Sequence, residues 1–333
     1  KTKFFVELIK PSHYDDDGYV IQWRKSWIPS NTLACINALS QDASEKSVLG
    51  DDVEFVINAY DEMNIVIPVD DIISRFKNND KRGIVFFVGV QSNQFPRTMD
   101  IARLFCDENI QVAIGGFHVS GCIAMLSELP EELKDATEKG IALFAGEAEE
   151  ERLVEVFNDA YQEKLKPIYN HLDDLPGLEG QPMPIMPASV AERFVSKIGS
   201  FDAGRGCSFL CSFCTVINVQ GRKSRYRDPD DVEKMIRSNI SNGINDFFLT
   251  DDNFARNKNW EAIFDRLINL RENQGFKHVK FTMQIDSLAH KIKNFVSKAA
   301  RAGCRRVFIG LESINPENLQ AVNKRQNKIT EYR

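Results

Sequence analysis

Three cysteines in one short segment are the residues of this sequence best suited to chemistry. Cys207, Cys211 and Cys214 lie in the run Gly204-Arg-Gly-Cys-Ser-Phe-Leu-Cys-Ser-Phe-Cys214, four and then three residues apart. Cysteine thiolates select soft metals and iron–sulfur clusters. A four-iron cluster takes four ligands, so three thiolates leave one iron open to an outside ligand. The segment therefore predicts a cluster at which a further ligand can bind.

Two other interpretations of the cysteines are open. The same spacing would place all three on one face of a helix, where cysteine packs as a small apolar residue. Gly204 and Gly206 directly precede the cysteines and favour a loop instead. Structural zinc would need a fourth ligand from elsewhere in the chain. Phe209 and Phe213 between the cysteines could shield a cluster from water.

The segment also carries a family resemblance. A CxxxCxxC motif after a strand-like run, with the aromatic Phe213 directly before the last cysteine, resembles the signature of the radical S-adenosylmethionine (SAM) enzymes. The resemblance implies that the three thiolates hold a [4Fe-4S] cluster and that SAM chelates the fourth iron through its amino and carboxylate groups. It further implies a low-potential electron donor and reductive cleavage of SAM to a 5′-deoxyadenosyl radical.

The composition of the chain indicates which classes of partner and which cell compartment to expect. The chain of 333 residues has 42 basic and 48 acidic residues, a net charge of −6, which favours neither nucleic acid nor an anionic membrane. We therefore expect a small-molecule or peptide substrate. No apolar stretch approaches the about 20 residues that span a bilayer. Seven cysteines, an odd number, suit a reducing compartment, and the sequence predicts a cytoplasmic protein.

Residues 1–162 predict a doubly wound, Rossmann-like α/β domain, because near-continuous apolar runs alternate with helical patterns. The expected strands are 4–9, 53–59, 83–90, 110–114 and 141–145, and the expected helices are 32–42, 69–77, 97–109, 119–127 and 147–162. Residues 163–198 carry five prolines without sustained periodicity and are predicted to form a linker.

Residues 199–333 predict part of a (βα) barrel. Expected strands at 200–203, 246–250, 279–283 and 306–310 alternate with helices at 229–242, 260–274 and 291–302. Only four strands fit, so the barrel is expected to be incomplete at its carboxyl end and the chain to be a fragment.

Polar residues follow the expected barrel strands, at the mouth where barrel active sites are built. By resemblance to the radical SAM enzymes, the candidates for contacts with SAM are Asp251, Asp252, Gln284 and Glu312, together with Phe213. Strand-end polarity or helix capping explains the same residues without a ligand.

A doubly wound domain before such a barrel resembles the cobalamin-binding subclass of the family. The Gly115-Gly116 pair and the loop at 146–149 look like the glycine-rich loops that approach this cofactor. The histidine motif of many cobalamin domains is matched only in part, because Pro11 stands where it has Asp, two residues before His13.

Several functions remain open at this point. The subclass implies cobalamin-dependent methylation of an unknown substrate, while some of its members cyclise or rearrange their substrates instead. An iron–sulfur electron-transfer or sensor protein would use the same three cysteines without cleaving SAM. A zinc-stabilised interaction protein is a third class.

Overall fold

The computed structural model describes residues 1–195 and 198–332, which divide into two compact units. The first unit comprises 1–176 and 184–195, and the second comprises 177–183 and 196–333. The segment expected as a linker contributes to both. Its first part adds a strand to the first unit, and 177–183 packs with the second.

The first unit alternates strands and helices. Its strands are β1 (Thr2–Lys10), β2 (Val53–Asp61), β3 (Gly83–Phe87), β4 (Val112–Gly115), β5 (Ala142–Ala145) and β6 (Ile168–Asn170). Its helices are α1 (Asn31–Glu45), α2 (Val69–Lys77), α3 (Phe95–Asp107), α4 (Phe117–Met125), α5 (Glu131–Glu138), α6 (Arg152–Tyr161) and α7 (Ala188–Ala191). The sequence did not predict α5, β6 or α7, which are short or weakly patterned.

All six strands of this unit pair in parallel, in the order β2-β1-β3-β4-β5-β6. The chain leaves β1 to one side for β2 and to the other side for β3, which is a topological switch point. β1 is buried from Phe4 to Ile9 because helices cover both faces of such a sheet. The predicted doubly wound α/β class is confirmed.

One helix of the first unit begins later than predicted. The pattern at 147–162 indicated a continuous helix, but α6 starts at Arg152. Glu150 and Glu151 adopt left-handed backbone conformations, with φ of 57° and 65°, which a right-handed helix cannot contain. Residues 146–149 therefore form a loop at the carboxyl end of β5.

The second unit has the same alternation. Its strands are β7 (Ile198–Phe201), β8 (Gly204–Arg205), β9 (Arg225–Tyr226), β10 (Asp246–Leu249), β11 (Lys280–Ile285) and β12 (Cys304–Ile309). Its helices are α8 (Val216–Val219), α9 (Pro229–Ser241), α10 (Trp260–Asn273), α11 (Phe295–Ala302) and α12 (Pro316–Ala321). Asp228 starts α9 by accepting a hydrogen bond from the Asp230 N–H, with Pro229 at the first helical position.

The four long strands of the second unit form an open parallel sheet in the order β12-β11-β10-β7, as expected for part of a barrel. Phe201, Phe247 and Phe281 from three of these strands pack with Phe264 of α10 in one core. β8 and β9 make a separate antiparallel ribbon. This ribbon brackets the cysteine segment, so both ends of the segment are anchored beside the carboxyl end of β7.

Candidate active site around the cysteine loop

The cysteine loop, residues 206–215, is folded by backbone contacts rather than by a helix. Gly206 opens it with a φ of 85°, a conformation that residues with a Cβ rarely adopt. A Cβ on Gly206 would lie 2.7 Å from the carbonyl oxygen of Lys223 and 2.9 Å from that of Gln220. The Cys207 N–H donates to the Gly221 carbonyl, and the Cys214 N–H donates to that of Cys211. The one-face-of-a-helix interpretation of the three cysteines is therefore wrong.

The three cysteines line one cavity of about 280 Å³ at the carboxyl ends of β10, β11 and β12. The cysteine loop contributes Cys207, Phe209, Cys211, Phe213 and Cys214 to its wall. Cys211 is buried, and the other two are partly exposed. None of the seven cysteines, all of which the structure describes, forms a disulfide. Burial raises the pKa of the Cys207 thiol. A bound metal would oppose this shift, because it binds the thiolate form.

The donor set fits a cluster better than one metal ion. Within the described part of the chain, no three His, Cys, Asp or Glu side chains are gathered closely enough to hold a single ion. In a four-iron cluster each thiolate binds a different iron, so the three sulfurs need to face one cavity but not one point. The residues present meet that condition.

Polar residues after the barrel strands form another part of the wall. Asp252 and Asn253 follow β10, Gln284 and Asp286 come from the end of β11, and Glu312 follows β12. Of the residues predicted to contact SAM, the structure brings Phe213, Asp252, Gln284 and Glu312 to the cavity that the cysteines line.

The remaining predicted residue, Asp251, does not line this cavity. It is buried, and its carboxylate accepts hydrogen bonds from the Ala203 N–H at 2.6 Å and from the Asn257 Nδ2 at 3.2 Å. Burial raises the pKa of Asp251 to about 7; the hydrogen bond from Asn257 opposes this shift, and the charge of Asp202 adds to it. The side chain thus ties the end of β10 to the start of the ribbon rather than lining the cavity.

A hydrogen-bond network fixes Asn253 and Asp286, two residues of the cavity wall. The Asn253 Nδ2 donates to the Asp286 carboxylate at 3.0 Å, and the guanidinium of Arg256 donates twice to the same carboxylate, at 2.7 and 2.8 Å. Burial alone would raise the pKa of Asp286, but these donors and the Leu288 N–H outweigh it and lower the pKa. Arg256 also lies 5.4 Å from the ring centre of Phe209, so the network supports the cysteine loop.

The sequence did not point to a second wall segment, 322–327, which follows α12. Lys324, Gln326 and Asn327 are buried and line the cavity. The Lys324 ammonium pairs with the Glu312 carboxylate and lies 5.6 Å from the ring centre of Phe213. The segment has neither helical nor strand periodicity, and the run Asn323-Lys-Arg-Gln-Asn327 looks like an ordinary polar loop.

In the first unit, Gly116 of the Gly115-Gly116 pair has a packing role. Gly116 has a φ of 146°, and a Cβ there would lie 2.2 Å from the Val90 nitrogen. A Cβ on Gly115 would make ordinary contacts with Phe144 at 3.5 Å. Close approach of the loops after β3 and β4 therefore accounts for Gly116. His118, two residues after Gly116, is buried, and its Nδ1 lies 3.1 Å from the Ser92 hydroxyl.

The first unit also exposes aromatic side chains at the same sheet edge. The loop after β1, residues 11–30, leaves Tyr19, Trp23 and Trp27 exposed, the two tryptophans by 61% and 67%. The Trp23 N–H donates to the Met63 carbonyl, so this loop lies beside the loop that follows β2.

No described helix is long and apolar enough to cross a membrane.

Known proteins resemble this chain in sequence. It is 28% identical over 251 residues to the bacteriochlorophyllide d C-8(2)-methyltransferase of Chlorobaculum tepidum, covering 71% of this chain and 52% of that protein. It is 27% identical over 253 residues to the hopanoid C-2 methylase of Rhodopseudomonas palustris, covering 72% and 44%. The chain spans about half the length of these curated relatives.

Solved structures resemble it in fold. The radical SAM methyltransferase TsrM from Kitasatospora setae, with tryptophan and a SAM analogue bound, aligns with a TM-score of 0.67 at 15% identity, over 97% of this chain and 62% of that one. A second structure of TsrM, with cobalamin and a [4Fe-4S] cluster bound, aligns with a TM-score of 0.65 over 98% of this chain and 64% of that one.

A family model covers the part of the chain that contains the cysteine loop and the carboxyl ends of β10, β11 and β12. Residues 202–332 match the Radical SAM superfamily. The motif, the strands β10, β11 and β12, and the cavity lie in this same segment. The match to the Radical SAM superfamily therefore falls on the second unit of this chain, around the cysteine loop and its cavity.

Proposed function

We propose that this chain is the catalytic part of a radical SAM enzyme that methylates a small organic substrate with the help of cobalamin. The observation that carries the proposal is that three cysteines of a CxxxCxxC loop line one cavity together with polar groups from three parallel strand ends. When bound by Cys207, Cys211 and Cys214, a [4Fe-4S] cluster supplies the electron that cleaves SAM to a 5′-deoxyadenosyl radical.

The cavity residues divide the remaining tasks by their chemistry. Asp252 and Glu312 offer carboxylate oxygens to the amino group of SAM, and Lys324 offers a cation to its carboxylate. Gln284 can both donate and accept at the ribose hydroxyls. Phe209 and Phe213 keep water from the cysteines. Glu312 and Lys324 pair with each other, so SAM would replace one charged contact with two of its own.

We assign cobalamin to the first unit. Ligands of doubly wound folds bind outside the carboxyl ends of the strands, at a switch point such as the one between β1 and β3. Exposed Trp23 and Trp27 follow β1 and offer flat apolar surfaces to a macrocycle. The fold likeness to TsrM spans both units, and two relatives are named as methyltransferases or methylases. When bound there, cobalamin supplies the methyl group.

Iron binding tests the cysteine assignment. After anaerobic reconstitution, the protein should hold about four irons, and Cys211→Ala should lose most of them because one of three protein ligands is gone. Cys304→Ala is the matched control, since burial raises the pKa of Cys304 to about 11 and keeps it a thiol outside the loop. A full iron complement in Cys211→Ala, or zinc without iron in the wild type, would contradict the assignment.

Cobalamin retention tests the role of the first unit separately. The wild-type chain should retain hydroxocobalamin through gel filtration, and a Trp23→Ala, Trp27→Ala double variant should bind it at least about tenfold more weakly, a loss of ~1.4 kcal/mol. Leu104→Ala removes an exposed apolar side chain from α3 and serves as the control. No retention by the wild type would favour radical chemistry without methyl transfer.

A further inference from the structure

The segment 322–327 is fixed to three parts of the cavity wall. The Ser212 N–H of the cysteine loop donates to the Val322 carbonyl at 3.0 Å. The Ser287 hydroxyl, after β11, donates to the Gln326 carbonyl at 2.9 Å. The Asn327 Nδ2 donates to the carbonyls of Gly310 and Leu311, after β12, at 2.8 and 2.9 Å. These contacts leave the backbone at Gln326 little freedom to move.

The side chain of Gln326 points at one of the cysteines. Its Nε2 lies 3.4 Å from the Cys211 Sγ, within hydrogen-bonding distance for sulfur. Both residues are 7% exposed. Cys211 is also the most buried cysteine of the loop.

A hydrogen bond to a cluster sulfur has an electronic consequence. Hydrogen bonds to the sulfurs are among the factors that set the reduction potential of an iron–sulfur cluster. Reduction adds negative charge, and an N–H dipole aimed at the thiolate stabilises that charge, the more so in a buried site of low dielectric constant. The donor therefore favours the reduced form.

We propose that Gln326 is a positioning residue that raises the reduction potential of the cluster through its hydrogen bond to Cys211. This inference rests on the proposed function, because it requires a cluster on the three cysteines. The fixed backbone of 322–327 holds the amide at the sulfur while SAM and substrate exchange in the cavity.

The test is a potentiometric titration of the reconstituted full chain, followed by electron paramagnetic resonance. Gln326→Met keeps the length of the side chain and removes the donor. Gln326→Asn keeps the amide but is one methylene shorter, too short to reach the sulfur. Gln320→Met, at an exposed glutamine of α12, is the matched control. Iron is counted in every sample.

Both Gln326 variants should keep about four irons and show a lower midpoint potential. At a fixed potential the ratio of reduced to oxidised cluster should fall about tenfold, which is ~59 mV for a one-electron couple. Gln320→Met should titrate like the wild type. Unchanged potentials with full iron in both Gln326 variants would overturn the proposal, and so would loss of iron from both, which would make Gln326 a retention residue. A wild type that binds no iron would instead refute the proposed function.

Discussion

At the scale of single residues, Gly206 decides whether the cysteine loop can close. Its φ of 85° turns the chain from the β8–β9 ribbon into the loop, directly before Cys207. Three carbonyl oxygens from the segment 220–223 surround the place where a Cβ would be, at 2.7 to 3.0 Å. Backbone atoms cannot move aside as a flexible side chain can. The glycine is therefore required by packing as well as by conformation.

We predict that Gly206→Ala loses most of its iron-binding capacity because the loop must shift away from 220–223. Gly275→Ala is a close control, since Gly275 has nearly the same φ, 84°, but no atom within 4 Å of its Cβ position. Both variants lose roughly 1–2 kcal/mol of folding stability, because alanine is unfavourable in the left-handed conformation. Only Gly206→Ala should bind less iron after reconstitution. Equal iron contents in the two variants would show that the crowding at Gly206 has no effect on the site.

At the scale of elements, the cysteine loop depends on how the ribbon is anchored to the end of β7. Arg227, directly after β9, is almost completely buried. Its guanidinium binds the Asp202 carboxylate, with the ion pair at 3.3 Å, and donates to the carbonyls of Leu178 and Gln181. Through these contacts it joins the segment 177–183 to the strand end from which the loop departs.

We predict that Arg227→Met lowers the free energy of unfolding by about 3–5 kcal/mol, the usual cost of breaking a buried ion pair. Arg237→Met removes an arginine from a partly exposed pair with Glu233 on α9 and should cost less than about 1 kcal/mol. Urea unfolding of both variants, followed by far-ultraviolet circular dichroism, gives the comparison. Similar losses in the two would mean that the buried contacts of Arg227 contribute little.

The elements also explain which parts of the site could be predicted from sequence. Parallel strands end at one edge, so Asp252, Gln284 and Glu312 could be expected together from their positions alone. The neighbouring Asp251 could not be separated from Asp252, because the direction of a side chain after a strand depends on the turn that follows. Gln326 lies in a segment without periodicity, and only tertiary contacts bring it to Cys211.

At the scale of the whole molecule, two units with different folds lie in one chain. The alternating pattern predicted both parallel sheets because βα repeats have a strong hydrophobic rhythm. It did not predict β6 or the β8–β9 ribbon, whose strands have three and two residues and are too short to show a period. The residues 177–183 also belong to the second unit, although 184–195 belong to the first. Such an exchange between units depends on long-range packing.

The central claim is that the cysteine cavity cleaves SAM, and product analysis tests it most directly. The reconstituted chain is reduced with dithionite under anaerobic conditions, supplied with SAM and analysed by chromatography, with Cys211→Ala treated in parallel. We predict 5′-deoxyadenosine from the wild type and none above background from the variant. A wild type that holds about four irons and leaves SAM intact would contradict the claim, and would favour an electron-transfer or sensing role for the same three cysteines.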